Sequence, residues 1–302
     1  MDRTTARILN DLTSDFYRRV SSSFSETRQA PWEGWERVLE VVFHADGAQS
    51  AKSAQGARSQ EAQPQNARLQ GAQPLGTRNA HGTLRVLDLG CGNLRFERFL
   101  AERLGSFPET WAFDNCPALA NAGLSDDARG HVRFQPLDVV NTLLEGEAER
   151  ETATLAQALD MPPGAVDLAV AFGFMHHLAL PTHRLAVLEA LVARTRPGGH
   201  VAVAFWQFAN SPKLRAKAET ATARGCAALG LADDAGAPLL DENDYLLGWQ
   251  HAEGVWRYCH HFTEREIDEL STALAPCAHE VARFSADGKT HDLNRYVVFE
   301  RR

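Results

Sequence analysis

The chain has few of the features that mark secreted, membrane-spanning or nucleic-acid-coating proteins. Its five cysteines are scattered and form no C-x-x-C pair, which predicts reduced thiols. No apolar stretch approaches the roughly 20 residues that span a bilayer, and the amphipathic start contains no signal-peptide core. The net charge of -8 disfavours broad electrostatic binding of nucleic acid. These absences predict a cytoplasmic protein without a membrane partner.

A glycine-rich turn stands out against this background. Residues 86–96, VLDLGCGNLRF, form a short apolar strand that breaks into a turn and then opens a helix. Gly90 and Gly92 lack Cβ atoms where the backbone must turn sharply, so a ligand can approach the main chain there. The amides at the start of the following helix point at the same place. The run therefore predicts a site for a nucleotide-type cofactor.

The order of motifs along the chain strengthens this prediction. Strand patterns alternate with helical patterns at residues 86–89, 111–114, 132–138, 166–171 and 200–205. Such alternation predicts an α/β fold with a doubly wound parallel sheet. Asp114 ends the second strand, where a carboxylate can bind the hydroxyls of a ribose, and Asp138 ends the third.

This arrangement resembles the class I S-adenosylmethionine-dependent methyltransferases. Their hallmarks are D-x-G-x-G after the first strand, an acid after the second, an Asp after the third, and P-G-G before the fifth, here residues 197–199. The resemblance implies a Rossmann-like, mostly parallel seven-stranded sheet with an antiparallel edge, formed by residues 281–285 and 296–300. It implies S-adenosyl-L-methionine as cofactor. A nicotinamide enzyme, the main competitor, would keep a third glycine where this chain has Leu94.

The resemblance also assigns cofactor contacts. Asp88 would contact the methionine end of the cofactor, Asp114 the ribose and Asp138 the adenine amino group. The simpler alternatives are that Asp88 caps the glycine turn and that Asp138 only starts the next loop. The full set of implied cofactor-binding residues is Asp88, Gly90, Cys91, Gly92, Asp114, Asn115, Asp138, Val139 and Phe172.

Other stretches resemble a narrower family, the tRNA wobble-uridine methyltransferases that esterify 5-carboxymethyluridine. Residues 24–32, FSETRQAPW, are similar to its F-S-x-T-R-x-x-P-W signature, and residues 257–262, RYCHHF, to its R-Y-Y-H-x-F segment. Residues 175–177 match its H-H motif, and residues 294–296 fall where it carries a polar-aromatic motif. This resemblance implies tRNA modification. It also allows a small activating partner subunit, since the eukaryotic enzymes have a zinc-binding one.

The chemistry of the acceptor decides which residues act on it. A carboxylate is ionised at neutral pH and needs only a cation, for which Arg28 and Arg257 are the candidates. A hydroxyl or amine would need a base, His176 or His177, of which at most one faces the cleft because neighbouring side chains point apart. His260 and His261 beside Cys259 could suggest a metal, but no second cluster has ligand spacing, so we expect none.

Three functions therefore stay open for the chain. It could modify tRNA, it could be a small-molecule O- or N-methyltransferase, or it could bind S-adenosylmethionine without catalysis. We divide it into an N-terminal helical lid (1–45), a disordered low-complexity insertion (46–82) and a methyltransferase domain (83–302), in which residues 207–262 cover the substrate. An RNA-tethering arm is the alternative for the insertion.

Overall fold

The computed structural model describes residues 1–54, 78–79, 82–233, 235, 238–250 and 252–302. The predicted disordered insertion, 46–82, falls largely outside these residues and stays a prediction. The division of the chain into a lid and a methyltransferase domain also stays a prediction. Among the described residues, no helix has the length and apolarity that crossing a membrane requires. The cytoplasmic location remains a prediction.

Helices flank the sheet on both faces. In chain order they are α1 (Arg3–Glu26), α2 (Glu33–Ala54), α3 (Arg95–Leu104), α4 (Pro117–Gly123), α5 (Asp126–Arg129), α6 (Val139–Glu145), α7 (Glu151–Ala158), α8 (Pro181–Arg194), α9 (Pro212–Leu229) and α10 (Glu264–Leu274). Short 3-10 turns cover Ala148–Arg150, Met175–His177 and Phe208–Asn210.

The strands form one large sheet and two small antiparallel pairs. They are β1 (Arg78–Asn79), β2 (Gly82–Thr83), β3 (Arg85–Leu89), β4 (Glu109–Asp114), β5 (Val132–Pro136), β6 (Val166–Phe172), β7 (Thr195–Trp206), β8 (Asp244–Trp249), β9 (Ala252–His260), β10 (Ala278–Ala286) and β11 (Asn294–Arg301). The large sheet has seven strands in the order β10-β11-β7-β6-β3-β4-β5, while β1 pairs with β2 and β8 with β9.

The sheet confirms the predicted α/β fold. Strands β5, β4, β3, β6 and β7 run parallel. At one edge of the sheet, β11 pairs antiparallel with β7 and with the outermost strand, β10. Every residue of β6 is buried, because helices cover both faces of a central parallel strand. Leu168 and Val170 face one hydrophobic core, and Ala169 and Ala171 face the other.

The register of the first two parallel strands fixes where the cleft forms. Leu89 at the end of β3 pairs with Phe113 near the end of β4. The glycine turn after β3 and Asp114 at the end of β4 consequently meet at the same edge of the sheet. Leu94, at the third glycine position, adopts φ 55° just before α3 begins at Arg95. Its side chain packs with Cys91 under this turn.

Helix α1 lies between the cofactor end of the sheet and the β8–β9 hairpin. It begins with a cap in which the Asp2 carboxylate accepts a hydrogen bond from the Thr5 amide. Its buried face contains Leu9, Phe16 and Val20. The hairpin binds the helix through the Tyr258 amide, which donates to Thr13 Oγ1 at 3.1 Å. Helix α1 is thereby held in place over the edge of the sheet.

A buried polar network fixes the hairpin that carries Arg257. The Asp244 carboxylate accepts from the Tyr258 hydroxyl at 2.6 Å and faces His260 Nδ1 at 2.7 Å. The other ring nitrogen of His260 lies 2.8 Å from the Glu266 carboxylate on α10. Asp244 and His260 are almost fully buried, so each hydrogen bond of this network replaces one that water would otherwise make.

We predict that His260→Ala destabilises the protein, because it leaves the buried Asp244 carboxylate short of a partner. The free energy of unfolding should fall by about 2 kcal/mol, as when a buried acceptor loses a hydrogen-bond partner. Urea unfolding measures this change. The matched control is His279→Ala, since His279 is exposed. A loss in His260→Ala no larger than in this control would contradict the role of the network.

Candidate active site

The glycine turn is held against the next strand by main-chain hydrogen bonds. The Gly90 and Cys91 amides both donate to the Phe113 carbonyl, at 2.8 and 3.1 Å. Gly90 has φ +81°, and a Cβ there would lie 2.8 Å from Cβ of Phe174. A side chain would therefore be both strained and blocked at this position. At Gly92, also with positive φ, a Cβ would meet nothing within 4 Å.

Asp114 links the turn to the start of the next helix. Its two carboxylate oxygens accept from the Gly92 amide at 2.9 Å and from the Cys116 amide at 2.8 Å. Each oxygen keeps a lone pair for another donor. Burial raises the pKa of Asp114 even though both amide hydrogen bonds act in the opposite direction. The carboxylate is thus fixed in place and still able to accept hydroxyl groups.

Asp88 lies beneath the turn beside a second buried acid, Glu97. Among the described residues, no N–H or hydroxyl group donates to the Asp88 Oδ1 or to either Glu97 carboxylate oxygen, so the two carboxyl groups have each other as partners when one of them is protonated. Burial and the neighbouring charge of Glu97 raise the pKa of Asp88 well above its usual value, and burial raises the pKa of Glu97 to about 7. Asp88 also lines the cleft, so this pair of acids influences the charge beneath the glycine turn.

Asp138 connects the sheet to α1. Its carboxylate caps α6 by accepting from the Asn141 amide at 2.9 Å. The Asn10 side-chain amide lies 3.2 Å from both of its oxygens. Asp138 therefore starts the next helix, as the simpler alternative requires, and also lines the cleft. Its contact with an adenine amino group stays a prediction.

Three arginines give the cleft positive charge as well. Arg257 is 8% exposed, and its Nη1 donates to the Tyr17 hydroxyl at 2.8 Å. No carboxylate among the described residues forms an ion pair with it, and its Nε has no partner. Arg28 and Arg95 line the same cleft, also without a carboxylate partner among those residues. Burial, with the charge of Arg28, lowers the pKa of Arg95 to about 10.

Two neutral histidines, His176 and His177, lie beside Arg257, and both line the cleft with ring centroids 4.1 Å apart, so the expectation that at most one faces it is wrong. Burial, then the charges of His177 and Arg257, lower the pKa of His176 well below its usual value. Burial and Arg257 lower the pKa of His177 to about 3. Both nitrogens of His177 are occupied, by the Tyr258 carbonyl and the Tyr17 hydroxyl at 3.0 Å each. His176 keeps Nδ1 without a partner. At neutral pH neither ring is a strong base.

A single cleft of about 470 Å³ brings these groups together. Every residue that the sequence assigned to the site lines it: Arg28, Asp88, Gly90, Cys91, Gly92, Asp114, Asn115, Asp138, Val139, Phe172, His176 and Arg257. The contacts assigned to each with cofactor or acceptor stay predictions. Of the predicted substrate-covering segment, 207–262, Arg257 lines the cleft, and the covering role also stays a prediction.

Sequence reasoning predicted an N-terminal helical lid but assigned to the site no residue of α1 or of the start of α3. The unassigned lining residues include Asn10, Thr13, Tyr17, Arg95 and Trp206. One signal was present, because Asn10, Thr13 and Tyr17 recur at helical spacing. Asn10 and Thr13 are each only 6% exposed, so these polar residues interrupt the buried face of the helix. Nothing in the sequence placed Arg95 near Arg28.

His176, His177 and Cys259 form a group whose potential ligand atoms lie within 4.8 Å of one another. The group differs from the one considered in the sequence, which combined Cys259 with His260 and His261. Because both nitrogens of His177 already have hydrogen-bond partners, only two ligands are free. The neighbouring charge of Arg257 also opposes a cation. These contacts do not fit a metal site.

Comparison with known proteins identifies the family. The profile of the methyltransferase domain family matches residues 51–273, so the chain belongs to this family. It is an S-adenosylmethionine-dependent methyltransferase. This match is to a general methyltransferase family and does not support membership of the tRNA wobble-uridine methyltransferases. A sequence comparison with curated proteins gives no match.

Solved structures with a similar fold have low sequence identity to this chain. A methyltransferase from Methanosarcina mazei is 15% identical, with 72% of this chain and 92% of that chain covered and a TM-score of 0.49. The N-methyltransferase NodS from Bradyrhizobium japonicum is 15% identical, with 74% and 80% covered and a TM-score of 0.41. A Burkholderia thailandensis 1,6-didemethyltoxoflavin-N1-methyltransferase is 16% identical, with 94% and 87% covered and a TM-score of 0.42. These similarities do not bear on the acceptor.

The residues around the glycine turn fit the cofactor of this family. Asp114 lines the cleft and can still accept two hydroxyls. The open space beside Gly92 lets a ligand approach the backbone. Acidic groups also favour the positive charge of a sulfonium compound.

We predict that Asp114→Ala weakens cofactor binding about 100-fold, because it removes two charge-assisted hydrogen bonds to the ligand. Calorimetry with S-adenosylhomocysteine measures the affinity, and thermal unfolding shows whether the variant is folded. The control is Asp127→Ala, since Asp127 is exposed on α5. Affinity that is unchanged in a folded Asp114→Ala protein would show that the ribose contact lies elsewhere.

A second prediction concerns the buried acids. The folded state holds the Glu97 proton more tightly than the unfolded chain does, so stability falls as pH rises from about 4.5 to 7. Glu97→Gln removes this loss. The free energy of unfolding of Glu97→Gln minus that of the wild type should be about 2 kcal/mol larger at pH 8 than at pH 5.

Urea unfolding of the cofactor-free protein at the two pH values tests this. The control is Glu102→Gln, because Glu102 lies exposed on the same helix, α3. If the stability difference between wild type and Glu97→Gln is the same at both pH values, Glu97 does not hold a proton in the folded protein.

Proposed function

We propose that the enzyme transfers a methyl group to a carboxylate oxygen and forms a methyl ester. The observation that carries this proposal is the buried guanidinium of Arg257, which faces the cleft without a carboxylate partner among the described residues. A buried charge is costly unless an opposite charge accompanies it. A guanidinium also binds a carboxylate with two parallel hydrogen bonds. An anionic acceptor would supply the missing charge.

The neutral histidines support the same choice. Methylation of a hydroxyl or an ammonium group requires the enzyme to remove a proton. The lowered pKa values of His176 and His177 make both rings weak bases at neutral pH. A carboxylate has a pKa near 4 and arrives without a proton. The charges around the cleft therefore suit an acceptor that needs to be held and not deprotonated.

The protein's contribution to the reaction is to position the acceptor. S-adenosylmethionine, when bound, supplies an electrophilic methyl group on a sulfonium centre. Arg257 and Arg28 hold the carboxylate, and the aromatic rings of Tyr17 and Trp206 help to exclude water around Arg257. No proton moves during the transfer. The product ester is neutral and no longer pairs with the arginines, which favours its release.

Two sources of carboxylate remain as acceptors. The first is the carboxymethyl group of a wobble uridine in tRNA, as the sequence resemblance implies. It is supported by the motif residues that line the cleft, which are Phe24, Thr27, Arg28, Pro31, Trp32, His176, His177, Arg257 and Asn294. The second is a small-molecule carboxylate, supported by the net charge of -8, which disfavours nucleic acid. A partner subunit would belong to the first.

A second reaction, methylation of a hydroxyl or amine, has one observation in its favour. His176 keeps an unpartnered Nδ1 at the wall of the cleft. This nitrogen could take a proton from an acceptor, although the lowered pKa of the ring makes it a poor base. Loss of activity in His176→Gln that a raised pH restores would favour this reaction.

We predict that Arg257→Met lowers methyl transfer about 100-fold, because the acceptor loses charge-assisted hydrogen bonds. Methyl-labelled cofactor is incubated with total RNA or with a small-molecule extract, and the fraction that takes up label shows the source of the acceptor. Arg265→Met is the control, since Arg265 is 88% exposed. S-adenosylhomocysteine affinity shows that the cofactor site is intact. Undiminished transfer by Arg257→Met would contradict a carboxylate held by this residue.

A further inference from the structure

A closed ring of hydrogen bonds joins α1 to Arg257 at the cleft. Arg257 Nη1 lies 2.8 Å from the Tyr17 hydroxyl, and this hydroxyl lies 3.0 Å from His177 Nε2. The other nitrogen of His177 lies 3.0 Å from the Tyr258 carbonyl. Because Tyr258 follows Arg257 in β9, the backbone completes the ring. Three separate elements, α1, the turn after β6 and β9, are connected in this way.

The direction of each hydrogen bond follows from chemistry. A carbonyl oxygen can only accept, so His177 Nδ1 carries the hydrogen. The imidazole of His177 is neutral, because burial and the charge of Arg257 lower its pKa to about 3, so Nε2 carries no hydrogen. The Tyr17 hydroxyl must then donate to His177 Nε2 and accept from Arg257. Its single hydrogen is committed to the histidine, and its oxygen faces the guanidinium.

This arrangement leaves Arg257 in one orientation. One amino group of the guanidinium is tied to Tyr17, and the plane of the side chain lies among the rings of Phe16, Tyr17 and Trp206. Arg257 lines the cleft, and among the described residues Tyr17 is the only hydrogen-bond partner of its guanidinium. A guanidinium is a rigid fork, so fixing one arm also fixes the direction of the others.

We propose that Tyr17 is a positioning residue that sets the specificity for an anionic acceptor by orienting Arg257. The proposal rests on the proposed function, in which Arg257 holds a carboxylate. Because Tyr17 belongs to α1, the acceptor site is complete only when this helix is docked. His177 acts in the same ring by fixing the Tyr17 hydroxyl, and it is not a base.

Acetate, the simplest carboxylate, probes this site without knowledge of the natural acceptor, and acetamide is its neutral counterpart. Binding is measured on the full chain saturated with S-adenosylhomocysteine. We expect the wild type to bind acetate with a Kd of about 1 to 10 mM and to bind acetamide much more weakly. Tyr17→Phe keeps the aromatic ring and removes only the hydroxyl. It should weaken acetate binding about tenfold while leaving S-adenosylhomocysteine affinity unchanged.

Two controls separate positioning from a general loss of structure. Tyr245→Phe removes a hydroxyl from β8. The Tyr245 ring packs on Phe208 away from the cleft, so this variant should leave acetate binding unchanged. Nitrogen-15 NMR of labelled histidine reports the protonation and hydrogen bonding of the two His177 nitrogens directly. In the wild type His177 should show a protonated Nδ1 and a hydrogen-bonded Nε2. In Tyr17→Phe the Nε2 signal should move toward that of an imidazole nitrogen without a hydrogen bond.

The outcomes distinguish this proposal from the proposed function. If Arg257→Met abolishes acetate binding and Tyr17→Phe weakens it, both stand. If Arg257→Met abolishes binding and Tyr17→Phe leaves it unchanged, the role of Tyr17 is wrong and the carboxylate site stands. If the wild type binds no acetate up to about 100 mM, or binds it equally well without Arg257, the carboxylate site and the role of Tyr17 are both overturned.

Discussion

The buried guanidinium of Arg257 is the charge on which the organisation of the cleft depends. Asp244, His260 and Glu266 hold the β8–β9 hairpin that carries Arg257. Tyr17 of α1 fixes the direction of the guanidinium. The lowered pKa values of the two neighbouring histidines are partly a consequence of its charge. No carboxylate among the described residues pairs with this deeply buried cation, and we propose that an anionic acceptor balances it.

The cleft carries charges of both signs. Asp88, Asp114, Asp138 and Asp287 line it, and so do three arginines without a carboxylate partner among the described residues, Arg28, Arg95 and Arg257. Carboxylates favour a positively charged sulfonium cofactor, and an unpaired arginine favours a negatively charged acceptor. Charge placement, together with in-line positioning, therefore accounts for much of what this site requires of the protein.

The sequence predicted the parts of the site that follow from local pattern and strand order. Gly90 and Asp114 were predictable because adjacent parallel strands bring their carboxyl ends to one edge of the sheet. Tyr17 and Arg95 were not, since their positions depend on how α1 and α3 pack against elements far away in the chain. Leu94 stands at the third glycine position, and the structure accommodates it in a left-handed conformation with a buried side chain. Local pattern therefore located the glycine turn and its carboxylate, whereas tertiary packing determined which residues of α1 and α3 line the cleft.

The chemical nature of the product tests the central claim most directly. The product labelled by methyl-labelled cofactor is treated with mild base, which hydrolyses a carboxylate ester to the acid and methanol. A methyl group on nitrogen or on an ether oxygen withstands this treatment. A carboxylate held by Arg257 predicts that the label becomes volatile as methanol. Label that stays with the product after base treatment would show that the acceptor atom is not a carboxylate oxygen, and would contradict this account of the cleft.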